Sequence, residues 1–140
     1  MIVLDTNVIS EVFRPQPDSH VVAWLESLSQ DVAITAVTLA ELLAGVRRLP
    51  DGQRRQALST GIEIAVEPYK QDRSVLSFDA AAAERFADIL VARETAGLPI
   101  STADAQIAAI CRSHDAICAT RNLKDFAHTG VELLDPWHPA

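Results

Sequence analysis

The sequence predicts an α/β fold: a three-layer sandwich with a mainly parallel central sheet flanked by helices. Short apolar runs of strand character alternate with longer stretches of helical periodicity along the chain. The first run, Ile2-Val3-Leu4, is apolar throughout, as a strand covered on both faces should be. A carboxylate or an asparagine also stands just beyond each of several runs. Asp5 follows 2–4, Glu41 lies beyond 32–36, Asp104 comes after Leu98-Pro99-Ile100, and Asn122 and Asp125 follow 116–120. In an open parallel sheet the C-terminal strand ends line one crevice, so these residues, remote in sequence, should converge there.

Taken in order, residues 2–4 form a strand, and Asp5-Thr6-Asn7 supplies helix-capping chemistry for a short helix over Val8–Phe13, stopped by Arg14-Pro15-Gln16-Pro17. A second helix runs from about Asp18 to Leu28, with Val21, Val22, Trp24, Leu25 and Leu28 as its apolar stripe. Strand 32–36 leads to a helix from about Thr38 to Arg48, ended near Pro50-Asp51-Gly52. Gln53 to Val66 reads as helical and Pro68 as its close. Ser74–Phe78 is a short extended piece, and Asp79 caps an Ala-rich helix through about Thr95, with Gly97 and Pro99 as its stop signals. Strand 98–100, helix 103–113, strand 116–120, a turn or helix near 123–127 and a strand near 131–134 complete the chain.

At 140 residues and 49% hydrophobic content the chain should form one domain over 1–140 with a substantial core. Aromatics are only 5%, so Ala, Val, Leu and Ile must do the packing. A formal charge of −7 and a pI of about 4.9 argue against broad, non-specific nucleic-acid binding, though not against a site where cations and a local basic patch offset the field. Cys111 and Cys118 do not make a secreted disulfide framework and read as buried filler. No segment approaches the roughly 20 apolar residues of a membrane span, and a cytoplasmic location is expected.

The acids admit two readings. Thr38-x-x-Glu41 and Ser101-x-x-Asp104 match capping boxes, and Asp5 and Asn122 suit N-cap positions. Capping does not require all of them to share one sheet edge. Gathered carboxylates raise each other's pKa and need cations to stay ionised, and hard oxygen donors suit Mg²⁺ or Mn²⁺. The two roles coexist, because an acid in the first turn of a helix is favoured in its charged form by the macrodipole. No Ser-His-Asp or Cys-His arrangement and no glycine-rich phosphate loop competes.

Four ordered segments carry a resemblance. They are Ile2-Val3-Leu4-Asp5-Thr6-Asn7-Val8-Ile9-Ser10-Glu11, Thr38-Leu39-Ala40-Glu41-Leu42-Leu43-Ala44-Gly45-Val46, Thr102-Ala103-Asp104-Ala105-Gln106-Ile107-Ala108-Ala109 and Ala119-Thr120-Arg121-Asn122. The chain resembles PIN-domain ribonucleases, in particular the VapC toxins of bacterial toxin–antitoxin pairs. Arg14-Pro15-Gln16-Pro17 and Asp135-Pro136-Trp137-His138 look closer still to the FitB-like subgroup. The resemblance implies a PIN-like fold and a Mg²⁺-dependent endoribonuclease (Mn²⁺ serving as well) that hydrolyses RNA with a metal-activated water. It implies Asp5, Glu41 and Asp104 as metal ligands and a fourth acidic position where this chain has Asn122. Asparagine is a neutral donor that binds a hard cation more weakly, so a second tightly held metal requires that Asp125 compensate or that substrate phosphates complete the site. Thr6, Asn7 and Thr120 are expected to support the site, and Arg121 to touch a substrate phosphate. Expected partners are a cognate antitoxin, operator DNA through that antitoxin alone, and a second copy in a homodimer.

Two other classes stand beside this one. A regulatory module acting mainly in an antitoxin–DNA complex is kept open by Asn122. A phosphatase or receiver-like acidic pocket needs a lysine near a strand end, and Lys124 is the one candidate, Lys70 being the only other lysine.

Overall fold

The structure of the protein, a computed structural model, describes residues 1–139. Five strands form a wholly parallel sheet: β1 (Ile2–Leu4), β2 (Val32–Thr35), β3 (Val75–Leu76), β4 (Ile117–Ala119) and β5 (Leu133–Leu134), in the order β3-β2-β1-β4-β5. Among the described residues seven helices connect or flank them: α1 (Thr6–Glu11), α2 (Ser19–Ser27), α3 (Ala36–Arg47), α4 (Gln53–Gln71), α5 (Ala80–Thr95), α6 (Thr102–Ser113) and α7 (Leu123–Phe126).

The central strand β1 pairs Val3 with Ala33 of β2 on one side and with Cys118 of β4 on the other. Chain order runs outward from β1 through β2 to β3, then returns to β4 and β5 on the opposite side. The topological switch point therefore falls between β1 and β4, directly beyond Leu4 and Ala119.

Side chains alternate along β1 with period two. Ile2 and Leu4 enter one core layer with Val8, Val21, Trp24, Ile34, Leu42 and Trp137, while Val3 enters the other with Ile89, Ile107, Ala108, Cys111, Cys118 and Phe126. Both cysteines are free and buried, as filler should be. Ala105, Ala108 and Ala109 are fully buried, and such small side chains let α6 lie close under the sheet.

Several expectations are corrected. Leu98–Ile100 forms no strand, because the segment lies outside the sheet order and Pro99 has no N–H to give a ladder. Asp104 thus reaches the site from the first turn of α6, which Ser101 caps by accepting from the Asp104 N–H at 3.1 Å. Helix α3 begins earlier than Thr38, since Thr35 is its N-cap and accepts from the Thr38 N–H at 3.0 Å. Glu41 consequently lies beyond the first turn and closes no capping box. Helix α4 continues through Pro68 to Gln71; the carbonyl that the missing N–H would deprive belongs to Ile64, which is 70% exposed and open to water. Trp24, Leu42 and Val46 are core residues. Among the described residues no helix is long and apolar enough to cross a membrane.

Candidate active site

Asp5 leaves the end of β1 as the N-cap of α1, its Oδ1 accepting from the Thr6 N–H at 2.8 Å. Its other oxygen, Oδ2, accepts from the Thr120 hydroxyl at 2.8 Å. Thr120 follows β4 and is fully buried, so this bond crosses the switch point from one strand end to the next. The same hydroxyl oxygen accepts from the Asn122 N–H at 3.0 Å and from Asn7 Nδ2 at 3.4 Å, while Asn7 Oδ1 accepts from the Arg121 N–H at 3.3 Å. Asp5 is thereby locked in one rotamer with both oxygens occupied on their inner sides.

Glu41 approaches from α3. The Thr6 hydroxyl donates to its Oε1 at 2.7 Å and lies 3.0 Å from the Thr38 hydroxyl, whose proton is free to complete the chain. Asp104, in the first turn of α6, lies near enough to Asp5, to Glu41 and to Asp125 of α7 for their charges to act on it or it on them. Burial, with like charge from Asp104 and Glu41 added, holds the Asp5 carboxyl up at about 6 against an ordinary 3.8, despite the hydrogen bonds from Thr120 and Thr6 that pull it down. Burial raises Asp104 as well, and Asp125 and Glu41 add to it, while the Ser101 hydroxyl and the Arg93 guanidinium pull it back.

Asp5, Glu41, Asp104, Thr6, Asn7 and Thr120 are thus brought to one crevice, with Asp125 beside Asp104. Asn122 is exposed at the N-cap position of α7, makes no side-chain capping bond, and is tied by its main-chain N–H to Thr120. Arg121 stands exposed at the rim, its guanidinium 5.0 Å above the ring of Trp137. Among the described residues none of Asp5, Glu41, Asp104 and Asp125 has an ion-pair partner.

Carboxylates gathered here, with no ion-pair partner among the described residues, fit a hard divalent cation in the kind of donor they offer. Among the described residues they do not close into a tight three-ligand cluster. A cation that dehydrates reluctantly and keeps several waters suits such an open set better than one that needs full protein coordination.

From Thr6 and Glu41 a mostly apolar groove of about 300 Å³ runs between α1, α3 and α4, past Phe13, Leu42, Val46, Leu58 and Ile62, with Arg14 and Arg54 on its rim. A larger cleft, about 600 Å³, lies at the opposite end of the sheet around Asp31, Tyr69, Arg73 and Ser74 and contains none of the expected site residues. Convergence of acids, not volume, marks the site.

Sequence reasoning passed over Arg93, which is buried and binds main-chain carbonyls on both sides of the crevice. A cation in the last turn of a helix reads as an ordinary complement to the helix dipole, and its interior direction leaves no pattern in the sequence.

Residues 2–132 match the PIN domain family. The chain is 42% identical to the toxin FitB of Neisseria gonorrhoeae, with 99% of each chain covered. It is 39% identical to a VapC ribonuclease of Sinorhizobium fredii over the whole of both chains. A solved structure of FitAB bound to a DNA fragment superposes with a TM-score of 0.93 at 40% identity, covering 100% of this chain and 98% of that one.

Proposed function

The chain belongs to the PIN-domain family and to its VapC type of toxin, and on that premise we propose that it is the ribonuclease toxin of a type II toxin–antitoxin pair. More finely, it is a Mg²⁺-dependent endoribonuclease, with Mn²⁺ able to substitute, that acts in the cytoplasm. This reading is supported by the approach of Asp5, Glu41 and Asp104 to one another at the switch point, with Asp125 beside Asp104 and, among the described residues, no ion-pair partner for any of the four.

Asp5, Asp104 and Glu41 are the groups that would hold the cation, with Asp125 as the fourth acid in place of Asn122. When bound, a divalent cation supplies an activated water and neutralises charge on the scissile phosphate. The remaining work falls to the chain. Thr120 and the Thr6 N–H fix the Asp5 oxygens, and the Thr6 hydroxyl turns Glu41 toward them. Asn7 bridges Thr120 and the Arg121 N–H, so it sets the rim of the crevice rather than touching substrate first. Arg121, stacked on Trp137, is free along its N–H edges to grip a phosphate of the RNA backbone. Rigid positioning of this kind is worth several kcal/mol in a displacement reaction.

The apolar groove leading out of the crevice fits an apolar segment of a cognate antitoxin, and an occupant there would reach Glu41 directly. An arginine on such a segment would pair bidentately with the acids and block the site. DNA contact is expected through the antitoxin, in keeping with the relative solved with DNA, and a homodimer is the expected toxin unit.

Antitoxin-free protein incubated with labelled structured and single-stranded RNAs tests the reading. Cleavage with Mg²⁺ or Mn²⁺, lost with chelator and lost in Asp104→Asn, is expected. No cleavage under any condition from folded protein would transfer the role to a regulatory module, a reading that the neutral Asn122 side chain favours.

A further inference from the structure

Arg93 lies in the last turn of α5 and is 4% exposed. Among the described residues it has no carboxylate partner. Its guanidinium instead donates to four main-chain carbonyls: Nε to Leu98 at 2.9 Å, Nη2 to Pro99 at 3.0 Å, and Nη1 to Lys124 at 3.3 Å and Ala127 at 2.5 Å. Two of those carbonyls belong to the segment that runs straight into Ser101 and the first turn of α6, where Asp104 sits. The other two, Lys124 within α7 and Ala127 at its C-cap, flank Asp125 in sequence.

We propose that Arg93 is a positioning residue of the acidic crevice: one planar guanidinium, bound to both segments, sets the spacing of Asp104 and Asp125 and places a fixed positive charge behind them. This rests on the reading of the crevice as a divalent-cation site. Segment 98–100 has no sheet partner, so nothing in the β ladder holds it. Helix α7 is a single turn, too short to persist by its own hydrogen bonds. The guanidinium offers five N–H groups in a rigid plane, and four are used here, two on each segment.

The charge calls for explanation as much as the geometry does. Burying a cation without an anion in contact is costly, and carbonyl dipoles offset that only in part. Neutral donors would tie two loops together at a smaller desolvation penalty. A cation is favoured where carboxylates lie on the far side of the segments it binds, and Asp104 feels its field. With a divalent ion in the crevice, the arrangement is that of an outer group orienting the ligands, a position whose loss commonly weakens metal affinity or activity by roughly 10- to 100-fold.

The test uses the full chain and Arg93→Lys, which keeps the charge but loses the fork, with Arg93→Gln, which keeps donors but loses the charge. Mn²⁺ binding to free protein is measured by calorimetry, and kcat and KM on RNA are measured alongside. Both variants, once shown folded by near-ultraviolet circular dichroism, should bind Mn²⁺ at least roughly 10-fold more weakly, with the loss in kcat and KM little changed. In wild-type protein the Arg93 Nε–H resonance should be protected from exchange and should shift as Mg²⁺ is added, a readout that needs no variant to fold. Wild-type Mn²⁺ affinity and kcat in either folded variant, or an Nε–H resonance that ignores Mg²⁺ while the wild type binds it, would overturn the proposal and leave the cation site standing. A wild-type protein that binds neither Mn²⁺ nor Mg²⁺ would overturn the site and the positioning role together.

Discussion

Asp5→Asn should make the metal-free protein more stable at neutral pH while removing its activity. Asp5 is buried, and its carboxyl is held at about 6 rather than 3.8, so keeping it ionised in the folded chain costs about 3 kcal/mol once the pH exceeds both values. The folded state holds this proton more tightly than the unfolded one. Stability from Asp5 is therefore fully present below pH about 4 and is lost as the pH rises through about 6. An amide in the same place keeps the Oδ1 acceptor for the Thr6 N–H but gives up the acceptor for the Thr120 hydroxyl, a loss of about 1 kcal/mol. A net gain of about 2 kcal/mol remains at pH 7.5, or about 6 °C in Tm for a domain of this size. Thermal unfolding in chelator, from pH 4.5 to 8, should show the variant above wild type at the upper end and level with it or below at the lower end. Saturating Mg²⁺ should raise the wild type and leave the variant unmoved, because binding to the folded state alone stabilises it by mass action. A variant less stable than wild type at pH 7.5, or a gain that does not shrink on acidification, would refute the burial-and-repulsion picture of the crevice.

Thr120→Val removes the donor to Asp5 and the acceptor for the Asn122 N–H from a fully buried position; urea unfolding should show a loss of about 2–3 kcal/mol, and the activity profile should move to higher pH as Asp5 rises further. Asn122→Asp should tighten Mn²⁺ binding, and a calorimetric titration with no change would remove that position from the metal's surroundings. Arg121→Ala should raise KM for RNA with kcat little altered, because it removes uniform binding at the rim; an equal fall in kcat and kcat/KM would place the guanidinium at the reacting phosphate instead.

The sheet and its acids were legible because the signals are local. Ile2-Val3-Leu4 followed by Asp5, and the helical stripe of α6 behind Asp104, express burial and capping within a few residues. The parallel order follows from alternation of strands and helices, and the convergence follows from that order. Leu98–Ile100 is not legible as a loop, because a short apolar run looks the same whether it pairs with a strand or is held by a side chain from the preceding helix. The start of α3 is ambiguous in sequence because Thr35 and Thr38 both suit a cap; Thr38 is buried beside the Thr6 hydroxyl. Pro68 resembles a stop signal, but a proline near a helix end whose orphaned carbonyl faces water ends nothing. Arg93 left no trace, since the carbonyls it binds are defined by the fold and not by residue type.

A crystal soaked in Mn²⁺, with its anomalous difference map, tests most directly that the converging carboxylates hold a catalytic cation. A peak within coordinating distance of Asp5 and Asp104, with Glu41 reached directly or through water, is expected, and it should vanish in Asp104→Asn. RNA cleavage by the same preparation with no peak in the crevice, or with the ion bound elsewhere, would contradict it.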